Sequence, residues 1–535
     1  MTSTFFNLET GKRGLFAQQS GLSTVSQNVS NANTPGYSRQ RVDLVTTASM
    51  YVPSMGRTME AGQMGTGVVA GQITRIRESF LDAQFRNENT TSGEWTIRQD
   101  TLDKLQAVFN EPTDTGLSKV LDNFFLSWQT LGRNKDMASR NTVRQATIDL
   151  VETFNTVGAK LNELDTDIGD NISSKVNEFN TLTGQISDLN KQITTLEVLG
   201  DKANDLRDHR DYLVDQLSKT AGVTGKELPN GTYQLSVGTT VILSGDTPPV
   251  QLTYDAATNT TSFPVPSGEI GGMTFSRSNI ISGFKSQLDS MINGMVNGQI
   301  QSKLPGDYTY DSTVTQLPND ITLANGTVVP KGTNVDPLYR TLPKGTTITF
   351  NGLNELHQFG FTATKPTSKA GVLFETTDSS KVFTASNIKV AKAILDDVQN
   401  IGSSNATYVD ANGKTQAKEG NGDLAFMLGE SVSATIDFKQ GLPPNGAILA
   451  KGSVNDYMRA TIGQLGLQAQ TAERQVKNQG ALIQQIDNRR QSISGVSLDE
   501  EMSNMIRFQQ AYAASARVVT TAETILDTII HLGGK

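Results

Sequence analysis

The sequence contains no cysteine and only three histidines among its 535 residues. Without thiols the chain forms no disulfide and offers no thiolate ligand to a metal ion. The histidines, His209, His357 and His531, are scattered, and none stands at metal-ligand spacing. We therefore predict no metal, no cofactor and no catalytic residue, and we expect that the protein is not an enzyme.

Basic charge and long apolar runs are also scarce. The 46 Lys and Arg residues are outnumbered by 54 Asp and Glu residues, which gives a formal net charge of -8. A broad basic surface for phosphates is therefore not expected, and neither is a nucleic-acid partner. No apolar run approaches the length of a membrane helix, so no membrane insertion is expected, and the first residues lack a secretory h-region. The lack of both cysteine and signal fits a protein exported by a dedicated route and fits a cytoplasmic protein equally well.

The end of the chain, Val496 to Lys535, predicts one long helix. Ser497 precedes Glu500 by three residues, which is the spacing of a capping box, so the helix is expected to begin at Leu498. Two glycines near the chain end are expected to stop it. Apolar residues recur at steps of three or four and share one face: Met505, Phe508, Tyr512, Ala516, Val519, Ala522, Leu526 and Ile529.

A second helix is predicted at the other end of the chain, from Thr4 to Ala32. Large apolar residues stand seven apart in it, with one more beside them: Leu8, Leu15, Leu22, Val29 and Val25. Gly11, Gly14 and Gly21 weaken this helix by about 1 kcal/mol each relative to alanine. The helix is therefore not expected to be stable alone.

We expect the two terminal helices to pair as a coiled coil. Burying each large side chain contributes roughly 1.5 to 3 kcal/mol, whereas ordering each residue costs roughly 1 to 2 kcal/mol of backbone entropy. Because a lone pair is marginal, we predict that it gains most of its stability from further copies of the chain and orders on assembly. An ordinary intramolecular two-helix stem is the alternative.

The segment after the first helix, Asn31 to Arg39, predicts a chain reversal. Pro35 and Gly36 suit the central positions of a type II turn, and asparagine tolerates the left-handed conformation that ends many helices. Apolar and polar residues alternate in part of residues 37–47, and residues 62–71 are rich in glycine, so both segments are expected to form strands or loops.

The middle of the chain predicts two kinds of structure. Residues 76–219 follow a helical pattern. Residues 222–374 hold short β-like runs between glycines, prolines and Asn-Gly pairs, and a helical patch near Ser278 to Lys303 interrupts these runs. Helical patterns return at Ile388 to Val398 and at Val454 to Ser492. We predict an α+β multidomain fold with three parts: a terminal coiled-coil domain (1–60 and 493–535), a long-helix bundle (61–225 and 376–492) and an inserted β-rich outer domain (226–375).

Three stretches resemble the bacterial flagellar axial proteins, the family of rod, hook and hook-associated proteins. The first is the turn itself, Asn31-Ala-Asn-Thr-Pro-Gly-Tyr. The second is Phe109-Asn-Glu-Pro-Thr-Asp-Thr-Gly-Leu followed by Phe124-Phe-Leu-Ser-Trp. The third is Ser494-Gly-Val-Ser-Leu-Asp-Glu-Glu-Met with Ile506-Arg-Phe-Gln-Gln-Ala-Tyr. The likeness covers the two ends of the chain, and the middle matches nothing specific.

The resemblance implies a structural subunit of the flagellum, outside the cell, that acts as an adaptor at the junction between hook and filament. The implied partners are a ring of like subunits, the hook protein, a second hook–filament junction protein, the flagellar type III export apparatus and an export chaperone. The residues assigned to these roles form three sets. The N-terminal assembly seam is Leu8, Leu15, Leu22, Val25 and Val29; the turn typical of the axial family is Asn31, Asn33, Pro35, Gly36 and Tyr37; the C-terminal assembly seam and chaperone site is Met505, Phe508, Tyr512, Ala516, Val519, Leu526 and Ile529.

Two other functions remain open on sequence grounds. A surface adhesin would use the β insertion to bind carbohydrate or a host protein, and a cell-wall hydrolase would need a cleft with converging acids. The acidic run Asp499–Glu501 lies in the first turn of a predicted helix, where acids favour the positive end of the dipole. Asp208 and Asp211 flank His209 on a helix face that is expected to be solvated.

Overall fold

The computed structural model describes residues 5–48, 65–109, 116–198, 200–365, 367–411, 414–418, 420–439 and 446–533. Long helices stand at both ends of the described chain. In order, the helices are α1 (Phe6–Ser30), α2 (Ser79–Phe109), α3 (Leu117–Asn134), α4 (Met137–Glu197), α5 (Asn204–Thr220), α6 (Gly268–Phe275), α7 (Ser282–Asn297), α8 (Gly352–Gln358), α9 (Lys392–Asp396), α10 (Asp423–Glu430), α11 (Val454–Ser494) and α12 (Leu498–Gly533). A π-helical turn, Ser276–Ile281, joins α6 to α7, and 3-10 turns form at Val398–Asn400 and Ser431–Ser433.

The strands are short, and every strand pair in the described residues is antiparallel. They are β1 (Gln40–Thr46), β2 (Val68–Arg75), β3 (Val223–Glu227), β4 (Tyr233–Val237), β5 (Thr240–Ser244), β6 (Tyr254–Asp255), β7 (Thr260–Thr261), β8 (Gln299–Lys303), β9 (Tyr308–Thr309), β10 (Ile321–Thr322), β11 (Val328–Val329), β12 (Thr341–Leu342), β13 (Thr347–Asn351), β14 (Phe374–Thr376), β15 (Ile388–Val390), β16 (Thr407–Val409), β17 (Thr415–Ala417), β18 (Ile436–Asp437) and β19 (Lys451–Gly452). The largest sheet has the order β11-β10-β13-β8-β18-β19, and β3-β4-β5 form a smaller one.

The chain forms two compact units. The first contains Met1–Ile97, Asn171–Met273 and Arg474–Lys535, and the second contains Arg98–Asp170 and Thr274–Glu473. The terminal helices, the β1–β2 hairpin, α5 and the β3-β4-β5 sheet belong to the first unit. The second unit holds α3, α7 to α10 and the six-stranded sheet.

The first unit packs the end of α4 against its small sheet. Phe179, Ile186 and Ile193 stand seven residues apart, so they share one face of α4. All three are fully buried. Asn190, also fully buried, donates from Nδ2 to the carbonyl oxygens of Tyr233 at 3.1 Å and Gly245 at 2.7 Å. The helix is thus tied to β4 and β5 by apolar burial and by a satisfied polar contact.

The second unit is built around α3, which buries one broad apolar face. The buried residues on that face are Leu117, Leu121, Phe124, Phe125, Trp128 and Leu131. Gly132 lets α10 approach closely, because a methyl group on it would lie 3.0 Å from the Phe426 ring. Large side chains and a glycine therefore combine to join α3 and α10.

The structure differs from the sequence expectation after residue 376. Ile388–Val390 forms strand β15, paired with β14, where a helix was predicted. Within the predicted helix, Lys392–Asp396 is α-helical and a 3-10 turn begins at Val398. Ile388 and Val390 are buried and Lys389 is exposed, which is the alternation of a strand. Strands continue to Gly452, within the range predicted for the helical bundle. The compact units do not follow the predicted domain bounds, which stay a prediction.

Among the described residues, no helix combines the length and the hydropathy needed to cross a membrane. Part of the glycine-rich run 62–71 lies outside the described residues; Val68–Arg75 forms β2.

Candidate assembly surface on the terminal helices

Helices α1 and α12 pack against each other through the small residues of α1. A methyl group on Gly21 would lie 2.6 Å from the Phe508 ring, one on Gly14 would lie 2.8 Å from the Ser515 hydroxyl oxygen, and one on Gly11 would lie 2.9 Å from a Val519 methyl. Such distances leave no room for a side chain at these three positions of α1. The glycines that weaken the isolated helix are therefore the residues that let the two helices approach.

The predicted N-terminal seam lies beside this contact face. Leu15 follows Gly14, and Leu22 follows Gly21, and consecutive helical residues are about 100° apart around the axis. Leu8, Leu15, Leu22 and Val29, here called the leucine stripe, are half-buried, whereas Val25 is 3% exposed. The leucine stripe thus flanks the α1–α12 contact and keeps part of its apolar surface accessible.

The predicted C-terminal seam divides in the same way. Met505, Phe508, Ala516, Val519 and Leu526 are half-buried, and Ala522 is buried, whereas Tyr512 and Ile529 are exposed. A further group of apolar side chains near the start of α12 is exposed: Leu498 by 52%, Met502 by 50% and Ile506 by 57%. These three stand four residues apart and share one side of the helix, here called the α12 flank.

A groove of about 970 Å³ runs beside the pair, lined by α1, β1 and α12. Val25, Leu44 and Phe508 give it apolar surface, and Arg41 and Glu500 give it charges of both signs. The groove lies within the first unit.

The turn after α1 has the predicted geometry. Gly36 has φ +81°, and the Tyr37 N–H donates to the Thr34 carbonyl oxygen at 3.2 Å, as in a type II turn. Asn31 ends α1 differently from the expectation: its φ is -103°, outside the left-handed region, and its Nδ2 donates to the Gln27 carbonyl oxygen. Asn33 and Pro35 are exposed, and Asn31, Gly36 and Tyr37 are half-buried.

Asn28 joins four elements around this turn. Its Nδ2 donates to the Gln40 carbonyl oxygen and to Glu501 Oε2, each at 2.9 Å. Its Oδ1 accepts from the Tyr37 hydroxyl at 2.8 Å and from the Gln40 N–H at 2.9 Å. The side chain is 1% exposed, and all of its hydrogen-bonding capacity is used.

Arg39 binds the two glutamates at the start of α12. The helix begins at Leu498 as predicted, and Arg39 donates from one guanidinium nitrogen to Glu500 at 2.6 Å and from Nε to Glu501 at 2.8 Å. The Glu500 carboxylate is therefore engaged by an arginine from the turn. Glu501 is 1% exposed and is satisfied by Arg39 and Asn28 together.

The expectation that Asp208 and Asp211 are solvated is wrong. Both are buried in α5, and Arg75 of β2 pairs with Asp208 at 2.8 Å and with Asp211 at 3.0 Å. Burial opposes ionisation of Asp211, but Arg77, Arg75 and Arg86 outweigh it and hold the pKa of that carboxyl below its usual value. Burial raises the pKa of Asp208, against the effect of Arg75.

Arg490 of α11 extends this ion-pair cluster. Its guanidinium pairs with Asp215 at 2.9 Å and with Asp82 at 3.2 Å, and it stacks 4.3 Å from the Phe85 ring centre. Asp215 and Asp82 therefore each have an arginine partner. Such pairing is typical of buried charge with a structural role.

The described residues hold no cluster of three or more histidine, aspartate or glutamate side chains that could bind a metal ion. His357 is completely buried in the second unit, and His531 is exposed at the end of α12. His209 lines a small cavity of about 270 Å³ beside the turn, together with Tyr37 and Asp205.

Both ends of the chain match families of flagellar proteins. Residues 8–37, which include most of α1 and the turn, match the family "Flagella basal body rod protein", and residues 488–532 match "Flagellar basal body rod FlgEFG protein C-terminal". Residues 102–299 match "Flagellar hook-associated protein FlgK helical domain". The matches define the class: bacterial flagellar axial proteins.

Full-length relatives narrow this class. Flagellar hook-associated protein 1 of Bacillus subtilis is 32% identical over 572 aligned residues that cover 100% of both chains. The proteins of the same name from Salmonella typhimurium and Escherichia coli are each 27% identical and cover 97% of this chain and 98% of their own. The FlgK structure from Burkholderia pseudomallei aligns with a TM-score of 0.47 at 15% identity, over 77% of this chain and 100% of that one. The chain belongs to the flagellar hook-associated protein 1 (FlgK) family, structural proteins of the bacterial flagellum, and the resemblance seen in the sequence is confirmed.

Proposed function

We propose that this chain is an adaptor subunit at the junction between hook and filament, and that its terminal helices join it to neighbouring copies. Its family is defined by a place in the flagellum, which fits a structural role. The proposal is supported by the apolar surface that the α1–α12 pair leaves exposed. Among the described residues, the leucine stripe is only half-buried and the α12 flank is about half exposed.

The size of that surface favours assembly. Fully burying a large apolar side chain contributes about 1.5 to 3 kcal/mol, so covering the exposed half of each α12-flank residue contributes about 1 kcal/mol. The half-buried leucine stripe adds to this. In a ring of copies every subunit gains the same contribution, which strengthens a pair of helices that is marginal alone. The groove beside the pair is lined by apolar side chains and by charges of both signs, which suits a neighbouring helix.

The same surface has to be covered before assembly. The export chaperone binds α12 in the free subunit, and the chain reaches the cell exterior through the flagellar type III apparatus. In the assembled structure the ring contacts the hook protein on one side and the second hook–filament junction protein on the other. Family membership supports assembly with other flagellar axial components, and the exposed α12 flank supports the need for a chaperone.

The test is incorporation of charged variants in cells that lack the native chain. Leu22→Glu and Ile506→Glu place a charge on the leucine stripe and on the α12 flank, and are expected to abolish incorporation and swimming while the purified chain keeps its helical circular dichroism. Val519→Glu is expected to block incorporation too, and also to separate α1 from α12, because Val519 lies against Gly11.

Ser26→Glu is the matched control, because Ser26 is an exposed polar residue of α1. It is expected to assemble normally. Normal incorporation of both Leu22→Glu and Ile506→Glu would show that neither surface is an assembly contact.

A further inference from the structure

An open cavity of about 760 Å³ in the second unit has no part in the proposed assembly. It lies between the end of α7, the start of α8, strand β14 and the loop between β14 and β15. The residues that line it belong to the described ranges and to one compact unit. A volume of this size accommodates a small organic ligand.

Side-chain hydrogen bonds hold the backbone around the cavity. Asn354 of α8 accepts the Phe374 N–H at 3.0 Å and donates from Nδ2 to the Phe374 carbonyl oxygen at 2.9 Å, which ties α8 to β14. In the loop after β14, the Ser380 hydroxyl donates to the Val382 carbonyl oxygen at 2.7 Å, and Nδ2 of Asn387 donates to the same oxygen at 3.0 Å. The walls of the cavity are therefore fixed by contacts within the second unit.

Asn293 of α7 has an amide group that is only partly used. The side chain is 2% exposed, and its Oδ1 accepts the Phe383 N–H at 3.1 Å and Nδ2 of Asn297 at 2.9 Å. Nδ2 of Asn293 donates to no residue in the described part of the chain. A buried donor without an acceptor is costly, and Asn293 lines the cavity, so this nitrogen favours a ligand with an acceptor oxygen.

Asn297, one turn further along α7, offers the complementary group. Its Nδ2 uses both protons, on Oδ1 of Asn293 and on the Lys381 carbonyl oxygen, each at 2.9 Å. Its Oδ1 accepts no hydrogen bond from any described residue. A free donor and a free acceptor therefore lie on two amides that are hydrogen-bonded to each other. Neighbouring hydroxyls of a sugar ring supply one acceptor and one donor in the same way.

The rest of the lining favours an uncharged ligand with some apolar surface. The ionisable residues of the lining are Lys381 and Glu375, whose formal charges cancel. Val372, Val382 and Phe383 supply apolar surface. Sites for small ligands combine apolar surface of this kind with a few polar groups that orient the ligand.

We propose that this cavity binds a neutral saccharide, with one ring hydroxyl accepting from Nδ2 of Asn293 and a neighbouring hydroxyl donating to Oδ1 of Asn297. The two amides favour hydroxyls over an anion or a cation, because neither amide carries a charge. The site is independent of the terminal helices and of the adaptor role.

The test is saturation-transfer NMR of the full chain with glucose, galactose and mannose, each at up to about 50 mM. At least one of these sugars is expected to bind. Cyclohexanol, a ring with a single hydroxyl, is expected to bind at least about tenfold more weakly, and inorganic phosphate is expected not to displace the sugar.

Two variants test the position of the ligand. Asn293→Asp replaces the free nitrogen by an oxygen and keeps Oδ1 as the acceptor of the Phe383 N–H, so it is expected to weaken the sugar about tenfold. Val382→Trp places a large side chain at a lining position that is 38% exposed, and is expected to abolish binding because it fills the cavity.

Val328→Trp is the matched control, since Val328 is an exposed valine of β11 in the same unit and does not line the cavity. It is expected to bind the sugar like the native chain. Circular dichroism of each variant checks that it is folded. The proposal is overturned if the native chain binds none of the three sugars, if cyclohexanol binds equally well, if phosphate displaces the sugar, if folded Asn293→Asp binds like the native chain, or if Val382→Trp and Val328→Trp behave alike.

Discussion

Nδ2 of Asn28 in α1 donates a hydrogen bond of 2.9 Å to Oε2 of Glu501 in α12, across 473 residues of sequence. The two residues are each 1% exposed. Arg39 of the turn completes the contact by pairing with the other carboxylate oxygen of Glu501 at 2.8 Å. The two ends of the chain are therefore joined by a satisfied buried polar contact next to the apolar one, at the point where α1 meets the turn.

Asn28→Ala tests this contact. The change orphans the buried Gln40 N–H and removes a partner from Tyr37 and Glu501, and each orphaned group costs about 1 to 3 kcal/mol. We expect a loss of at least about 3 kcal/mol of local stability, seen as faster amide hydrogen exchange in both α1 and α12. Asn33→Ala, in the exposed part of the same turn, is expected to change exchange little. Equal protection in the two variants would contradict the role of Asn28.

Gly21→Ala tests the close approach of the helices. Alanine normally stabilises a helix interior by about 1 kcal/mol relative to glycine. At Gly21 the new methyl group would lie 2.6 Å from the Phe508 ring, so we expect destabilisation of the α1–α12 pair. The measurement is the amide hydrogen exchange of α12 in the free chain.

Gly184→Ala in α4 is the control for that prediction. Apart from the neighbouring backbone of α4 itself, no described atom lies within 4 Å of a methyl group there, so the ordinary gain of about 0.5 to 1 kcal/mol is expected in urea unfolding. If both substitutions stabilise their helices, the α1–α12 contact is looser than described.

The stability of the second unit is expected to fall in mild acid because of His357. Its Nδ1 donates to the Gly371 carbonyl oxygen at 2.6 Å and its Nε2 accepts the Gly402 N–H at 2.9 Å, which fixes the neutral ring. Burial lowers the pKa of His357 from 6.5 to about 4. Between those values the unfolded chain binds the proton and the folded chain does not, so stability is complete above pH 6.5 and falls towards pH 4, by roughly 3 kcal/mol.

The ring centre of Trp128 lies 5.8 Å from that of His357. The fluorescence of Trp128 therefore reports on this unfolding, in a variant whose other tryptophan is replaced by Trp95→Phe. The His357→Gln variant cannot titrate, so the difference between the two chains isolates the histidine from acidic groups. An unfolding free energy with the same pH dependence in both chains would contradict the assignment.

The sequence predicted the terminal helices and the turn better than the way in which α1 packs against α12. The start of α12 at Leu498 and the type II turn at Pro35 and Gly36 were predicted correctly, because local residue chemistry decides them. The contact face of α1 was missed, because large apolar residues dominate a periodicity and the packing depends on Gly11, Gly14 and Gly21. Their spacing of three and seven residues was the available signal.

Long-range polar contacts lay beyond sequence reasoning. Asp208 and Asp211 look like surface acids until the fold brings Arg75 and Arg77 beside them. Arg39 likewise pairs with Glu500, a contact that the sequence did not predict. Each of these partners is remote in sequence, so no local sequence pattern predicts the contact. The strand Ile388–Val390 was missed for a different reason, since three residues are too few to distinguish alternation from helical spacing.

The apolar surface beside the α1–α12 contact is the part of this chain that we propose neighbouring copies cover in the flagellum. A native chain without cysteine makes this directly measurable, because one introduced thiol is the only site for maleimide. Ile506→Cys is expected to react readily with maleimide in the free chain and at least about tenfold more slowly in assembled flagella. Thr327→Cys, at an exposed position in the second unit, is the reference for access of the reagent. Equal labelling of Ile506→Cys in free and assembled chains would contradict the account.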